Sequence, residues 1–499
     1  MSTTETTQNV PVDATLDSTA ARHAPLPLAH KIAYGAGSFV DTVTNNGLTV
    51  FGLFYFTSVC GVAGGSAGLA LSAGLVVDAV LDPLIGSVSD RWRSRLGRRL
   101  PFMLLGLPLA MIAFVLIFSL PAGVSATTLF VMLLLLSVML RLSVSLFNLP
   151  YLALGAELTD DYAERSKVAA WRWGLGMVGA LAAVLIGFGF FFKGAGGLSH
   201  RDAYSPFALT CATVATLGAL VAIWGSFKLR HRAHVVTEDR SDWLRALLAG
   251  VAEIFRNRSF RILFGASVLF FAAQGVAMSL GLHANTYFWR LHADSIKLVT
   301  VAYFCGLLIG APLIGLVAAR FDKKRMLLLS VCVLIATQTL PATLRLVGLL
   351  ALEGPPLVLL LVANAAIGGL ALTAAAIAAS SMLADAADEH EYLFGHRREG
   401  LYFAGWSFAS KVATGGGALI AGLVLEFSGL PSGAAAQAGA QASVEVALRP
   451  ETVAVLGLAY GPGAALLSIA GVLLMLLYRL DRSAHARILD QLAQRRAAG

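Results

Sequence analysis

Residues 76–102 read VVDAVLDPLIGSVSDRWRSRLGRRLPF. The stretch begins inside an apolar run yet carries two carboxylates, Asp78 and Asp82, one helical turn apart. It then breaks into five arginines, at 91, 93, 95, 98 and 99, and returns to an apolar run. An acidic pair inside an apolar run, beside a basic hinge, has few physical explanations. The rest of the chain narrows them.

Of the 499 residues, 57% are hydrophobic and only 13% charged, against about 25% charged in an ordinary soluble domain. Apolar runs long enough to cross about 30 Å of hydrocarbon recur throughout. Spans are expected at 32–58, 65–88, 101–120, 126–155, 168–192 and 206–227, then at 259–288, 296–318, 325–346, 355–384, 400–427 and 453–478. The expected fold is therefore an all-α polytopic membrane protein of twelve helices, six plus six. Residues 1–27, rich in Thr, Ser and Ala, read as a disordered cytoplasmic tail rather than a signal peptide. The first half is 28–227, a polar cytoplasmic loop 228–258 divides the chain, the second half is 259–478, and 479–499 is a second cytoplasmic tail. Cys60, Cys211, Cys305 and Cys332 stand singly, which argues against a disulfide framework.

Orientation follows from Lys and Arg. The 89–100 loop holds the five arginines, and 319–325 holds Arg320, Lys323, Lys324 and Arg325. Loops 59–66 and 120–126 carry neither residue type. The positive-inside rule puts both termini and the central loop in the cytoplasm of a cell membrane, with a bacterial inner membrane the natural setting. The net charge of +8 is thus topology, and no nucleic-acid partner is implied. An internal repeat supports the two halves: Asp82-Pro83-Leu84-Ile85-Gly86 before the first hinge is matched by Ala311-Pro312-Leu313-Ile314-Gly315 before the second. Equal orientation implies parallel repeats about an axis along the membrane normal, as in major-facilitator carriers. The carboxylates exist in one half only, because Asp82 matches Ala311 and Asp78 matches Leu307.

A charge at the bilayer centre costs about 2.5–3.5 kcal/mol on insertion scales, so buried ionic groups need a use. Asp78 and Asp82 share a helix face with Cβ atoms about 5–6 Å apart; such a pair shares a proton or binds a cation. Pro83 leaves the Ala79 carbonyl without its helical partner, a further oxygen for a hard cation such as Na⁺. The plainer alternative makes Asp82 the start of a cytoplasmic turn, with Asp78 alone buried. On the fourth span Arg141, Ser145 and Asn148 form one polar stripe, suited to a water-filled cavity or, for Ser145 and Asn148, to helix–helix hydrogen bonds. Asp41, about 15 Å into the first span, is a substrate group or the counter-ion of Arg141, and Asn45 and Asn46 follow it. Lys411, inside the eleventh span, needs a carboxylate partner or water, and the acids of the first half are candidates. Arg172 either contacts substrate or snorkels to the interface. Asp90, Arg91, Arg98 and Arg99, with Asp385, Asp388, Glu389, Glu391, Arg397, Arg398 and Glu399 between spans ten and eleven, are candidates for cytoplasmic gate ion pairs. Each alone also fits a solvated loop.

In combination, Asp78, Asp82-Pro83, Ser89-Asp90-Arg91, Gly97-Arg98-Arg99, Pro101-Phe102, YGAGSF at 34–39, Asn148-Leu149-Pro150-Tyr151, Glu164-Arg165 and Gly395-His396-Arg397-Arg398-Glu399-Gly400 resemble the glycoside–pentoside–hexuronide:cation symporters of the major facilitator superfamily. The resemblance covers nearly all of 31–478. It implies a Na⁺/H⁺ site at Asp78 and Asp82 with Ser145 as hydroxyl ligand, and a sugar-site arginine at Arg172. Lys411 looks like the family's lysine on helix eleven, and Asp41, Arg141, Asn148, Arg172 and Lys411 are the expected substrate-binding set. Two departures stand out: Asn148 replaces an acid of melibiose-type sugar recognition, and the first-helix acid comes one residue early, as Asp41. Both count against a galactoside.

The expected function is cation-coupled symport, by Na⁺ or H⁺, of a sugar- or glycoside-like solute by alternating access, in a monomer with no cofactor. A proton-driven exporter or lysolipid carrier on the same fold, and a non-transporting receptor, are the rivals. Retained mid-membrane charges speak against the receptor. No nucleophile–base or metal-ligand spacing supports an enzyme, and His283 and His390 are isolated in sequence.

Overall fold

The computed structural model describes residues 26–498 other than 93, 95, 160, 195, 229–242, 319–320 and 431–447. Most of the expected 1–27 tail, together with Arg93, Arg95 and Arg320, lies outside the described residues. Leu26 is already packed: its side chain is buried and its N–H donates to Glu164 Oε2 at 3.4 Å.

The first half carries α1 (Leu28–Ala36), α2 (Phe39–Gly47), α3 (Gly64–Arg91), α4 (Leu100–Ile117), α5 (Ala126–Glu157), α6 (Tyr162–Ile186) and α7 (Tyr204–Lys228). Then come α8 (Trp243–Ile254), α9 (Arg258–His283), α10 (Ala293–Ala318), α11 (Lys323–Leu346), α12 (Gly354–Phe394), α13 (Glu399–Phe427), α14 (Pro450–Leu458), α15 (Ala464–Leu476) and α16 (Arg482–Ala498). Among the described residues there is no strand. Among the same residues, eleven segments are long and apolar enough to cross a membrane by length and composition. Large apolar side chains such as Phe190, Leu316, Leu359 and Phe427 stand largely exposed on them, which suits lipid and not water.

The first expected span, 32–58, is not among the eleven, because it is not one continuous α-helix. The Gly37 and Ser38 N–H groups bond back three residues, to Tyr34 O and Gly35 O at 3.1 Å each, a tightening that interrupts the α ladder. Tyr151 explains the break. Its hydroxyl donates to Tyr34 O at 2.7 Å, and its ring lies where a Cβ on Gly37 would project, 2.6 Å away. Beyond α2 the segment continues through π turns at Leu48–Gly52 and Tyr55–Val59. Asp41 therefore sits in the first turn of α2, not ten residues into a straight helix.

Three other expectations need correction. α12 runs to Phe394, where the left-handed Gly395 (φ 81°) stops it. Asp385, Asp388, Glu389 and Glu391 thus ride on its last turns instead of in a loop. The 228–258 loop contains α8, and the 479–499 tail contains α16. Asp481 caps α16: its carboxylate accepts from Ala484 N at 2.8 Å and Ser483 Oγ at 2.7 Å, and these bonds hold it below the usual carboxylate range.

The halves meet most closely at the ends remote from the arginine loops. A Cβ on Gly64 would stand 2.3 Å from Gly422 O, and one on Gly422 would stand 2.2 Å from Gly64 O. α3 and α13 therefore touch backbone to backbone there. Gly65 N–H donates to Glu426 Oε2 at 2.7 Å, and Thr57 Oγ1 lies 2.9 Å from His283 Nε2.

Candidate functional site between the halves

α3 passes through Pro83 without breaking, so Asp78 and Asp82 keep their one-turn spacing on one face. From α5, Ser145 Oγ hydrogen-bonds Asp78 Oδ1 and reaches Asp82 Oδ1 at 2.8 Å. From α13 of the second half, Lys411 Nζ lies 2.8 Å from Asp78 Oδ2 and bonds Asp82 Oδ2 as well. Four side chains from three helices thus close one cluster across the two halves. The Asp78 side chain is 6% exposed, Asp82 20% and Lys411 25%, so water or an ion reaches it past Asp82 and Lys411. Ser145 has a single proton to donate. That proton bonds one carboxylate or is shared between the two. The cluster can hold a proton, or a small cation in the ammonium's place, but the Lys411 charge must then yield.

One turn along α5, Arg141 donates to Asn45 Oδ1 at 3.2 Å. Of the two readings of Asp41, the direct ion pair with Arg141 is not made: an amide on the next turn of α2 takes the guanidinium. Asp41, Asn148 and Arg172 are each half-buried, and among the described residues their side chains make no hydrogen bond or ion pair. Arg172 has its Cζ 5.9 Å from the Trp173 ring centroid.

The second half supplies a region that sequence reasoning missed. A cavity of about 210 Å³ opens beside α2, bordered by Asn46, Thr49, Gln274, Gln338, Asn364 and Tyr460 among others. Gln338 Nε2 donates to Gln274 Oε1 at 2.8 Å, and Asn364 Nδ2 donates to Thr337 O at 2.8 Å. None of the described residues bordering this cavity is charged, so it suits hydroxyl groups rather than ions. The available signal was single amides embedded in apolar runs, which no fixed spacing connects.

The candidate gate residues form ion pairs within each half and, for Arg398, with α8 between the halves. Arg99 bonds Asp90, Ser89 Oγ at 3.0 Å and Glu157 Oε1 at 3.0 Å, and Arg98 reaches Glu157 Oε1 at 2.7 Å. Arg91 is exposed at the end of α3. In the second half Arg397 lies 3.3 Å from Asp388 and 2.9 Å from Glu399, while Arg398 lies 3.1 Å from Glu253. Glu157 and Glu253 were not singled out from sequence. Glu157 could have been, as the first acid after the long apolar run of the fourth span.

Comparison with known proteins accords with this architecture. The chain is 26% identical to an uncharacterized symporter of Synechocystis sp., over 93% of this chain and 96% of the relative. It is 28% identical to a glucuronide carrier protein homolog of Escherichia coli, over 80% and 83% of the two chains. Among solved structures, the nucleoside transporter NupG shares the fold, with a TM-score of 0.62 at 15% identity, covering 89% of this chain and 99% of that one. The family model described as MFS/sugar transport protein matches residues 33–482. The chain belongs to that family, and it is a multi-pass membrane transporter of the major facilitator superfamily rather than an enzyme.

Proposed function

We propose that the protein is a symporter that couples entry of Na⁺ or H⁺ to uptake of a sugar- or glycoside-like solute by alternating access. The observation that carries this reading is the cluster of Asp78, Asp82 and Ser145 from the first half, closed by Lys411 from the second. The ammonium neutralises the acid pair and ties the halves together. A proton or Na⁺ arriving at the pair competes with Lys411, so cation binding and the cross-half tie are linked. A ligand shifts such an equilibrium only by its differential affinity for the two states. Here that difference is the presence or absence of the Lys411 contact.

Asp41, Arg141, Asn148 and Arg172 would meet the solute from the first half, and the amide-lined cavity from the second. The Escherichia coli relative named as a glucuronide carrier homolog supports a sugar-derived solute. With the arginine loops in the cytoplasm, the sealed end is extracellular. Asp90, Arg91, Arg98, Arg99, Asp388, Arg397 and Arg398 would exchange partners across the halves when the other end closes.

The test is solute uptake into membrane vesicles under imposed Na⁺ and H⁺ gradients, preceded by a thermal-shift screen of sugars, glycosides and lysolipids with and without Na⁺. Asp78→Cys and Asp82→Cys should abolish cation-dependent uptake. Unchanged cation dependence in both variants would sink the coupling scheme, and stabilisation by lysolipids alone would overturn the sugar assignment.

A further inference from the structure

At the arginine-bearing end of the second half, three side chains distant in sequence converge. They are Glu253 near the end of α8, His390 in the last turns of α12, and His396 in the junction between α12 and α13. Glu253 Oε1 lies 3.1 Å from His396 Nε2 and 3.8 Å from His390 Nε2, and the three ligand atoms all lie within 4.8 Å of one another. Tetrahedral N and O ligands at about 2.1 Å from Zn²⁺ stand about 3.4 Å apart. The two measured spacings fall on either side of that separation.

His390 is the second observation. It is fully buried, and among the described residues neither ring nitrogen has a hydrogen-bond partner. Buried polar groups nearly always have one, and a bare one in a native fold calls for a role. The rings of Phe394, His396 and Tyr402, with centroids 4.6, 5.4 and 5.5 Å away, pack around the imidazole. His396 is oriented for ligation. Its Nδ1 lies 3.1 Å from Phe394 O, so Nδ1 carries the proton and the Nε2 lone pair, beside Glu253, accepts from Arg398 and is open to a metal once that guanidinium moves away. Arg398 Nε, 2.8 Å from that Nε2 and 3.1 Å from Glu253 Oε2, supplies the positive charge at this place.

We propose that Glu253 Oε1, His390 Nε2 and His396 Nε2 form a site for a divalent transition-metal ion of the Zn²⁺ class, which displaces the Arg398 guanidinium. Water completes the tetrahedron. The bound ion staples α8, the helix between the halves, to the α12–α13 junction. The neighbouring Asp385, Asp388 and His485 group is different, because all three of its members have partners, whereas His390 has no hydrogen-bond partner among the described residues. Lys323 reaches Asp385 at 2.7 Å, Arg397 reaches Asp388 at 3.3 Å, and His485 lies 3.0 Å from Asp388.

The test is Co²⁺ titration of the purified full-length protein in detergent, read by the intense visible absorption of tetrahedral Co²⁺ and its loss on adding Zn²⁺. One equivalent is expected. His396→Ala and Glu253→Gln should each weaken binding by about tenfold or more. Arg398→Gln should tighten it, since the competing cation is gone, and a merely structural cluster would not respond in that direction. His390→Ala opens a buried cavity and endangers the fold, so the two less buried positions carry the test. Absence of the band overturns the proposal. So does a band that survives both substitutions, or one lost only in His485→Ala.

Discussion

α3 and α10 are the same scaffold helix used twice, and only α3 carries acids in the turns before its proline, Asp78 and Asp82 where α10 has Leu307 and Ala311. Each contains a proline near its arginine-loop end, Pro83 and Pro312, and each packs tightly on a helix of its own half. α3 lies against α5, with Gly74 facing Ser137 O. α10 lies against α12, where a Cβ on Gly306 would stand 2.1 Å from Ala366 O. At the turn where α3 places Asp78, α10 places Leu307, whose carbonyl accepts from Thr373 Oγ1 at 3.1 Å. The bonds made at that level differ in kind. One helix makes an ionic bond to the opposite half through Lys411, and the other makes a neutral packing bond within its own half. Fold and the proposed coupling chemistry are thus separable, and under that proposal the chemistry depends on a lysine that reaches across.

The sharpest way to break this contrast is Lys411→Ala. It leaves two acids facing each other without their ammonium. Removing one partner of a buried ion pair costs about 3–5 kcal/mol, and the partial exposure of Lys411 places the loss at the lower end. Na⁺ should restore much of it. The measurement is thermal unfolding in NaCl against choline chloride, for wild type and variant. An equal Na⁺ effect on both would mean that the ammonium and the cation do not compete.

Leu307→Asp asks the reverse question, whether α10 becomes a coupling helix when given an acid. An acid deep in a membrane helix costs about 2.5–3.5 kcal/mol, and no lysine or serine is known to meet this one. The variant should lose stability in the same unfolding assay and gain nothing from Na⁺. Stabilisation by Na⁺ would show that the second half can build a cation site unaided.

The asymmetry between α3 and α10 was legible in the sequence because a proline-anchored repeat aligned Asp78 with Leu307 and Asp82 with Ala311. Most helix ends were legible too, since lipid demands long apolar runs and the arginine loops punctuate them. What escaped lacks that signal. α8 and α16 lie outside the runs of membrane-spanning length, and α12 continues past its apolar run on Asp385, Asp388 and His390. The break at Gly37–Ser38 depends on Tyr151, more than a hundred residues away. The Gln274–Gln338 pair and the Glu253–His390–His396 group exist only through packing of distant helices, which periodicity does not encode.

Ser145→Ala is the finest probe of the comparison, because it changes neither charge nor backbone. The hydroxyl stands between Asp78 and Asp82, and α10 has no cross-helix hydroxyl between two acids to match it. A hydrogen bond to a charged group is worth about 1.5–3 kcal/mol net. If Ser145 helps to hold the cation, apparent Na⁺ or H⁺ affinity in vesicle uptake should fall by about tenfold, since about 1.4 kcal/mol is one decade. Ser145→Thr keeps the hydroxyl and should stay near wild type. Were alanine and threonine to lower the affinity equally, the effect would be one of packing along α5. The hydroxyl would then have no part in what sets α3 apart from α10.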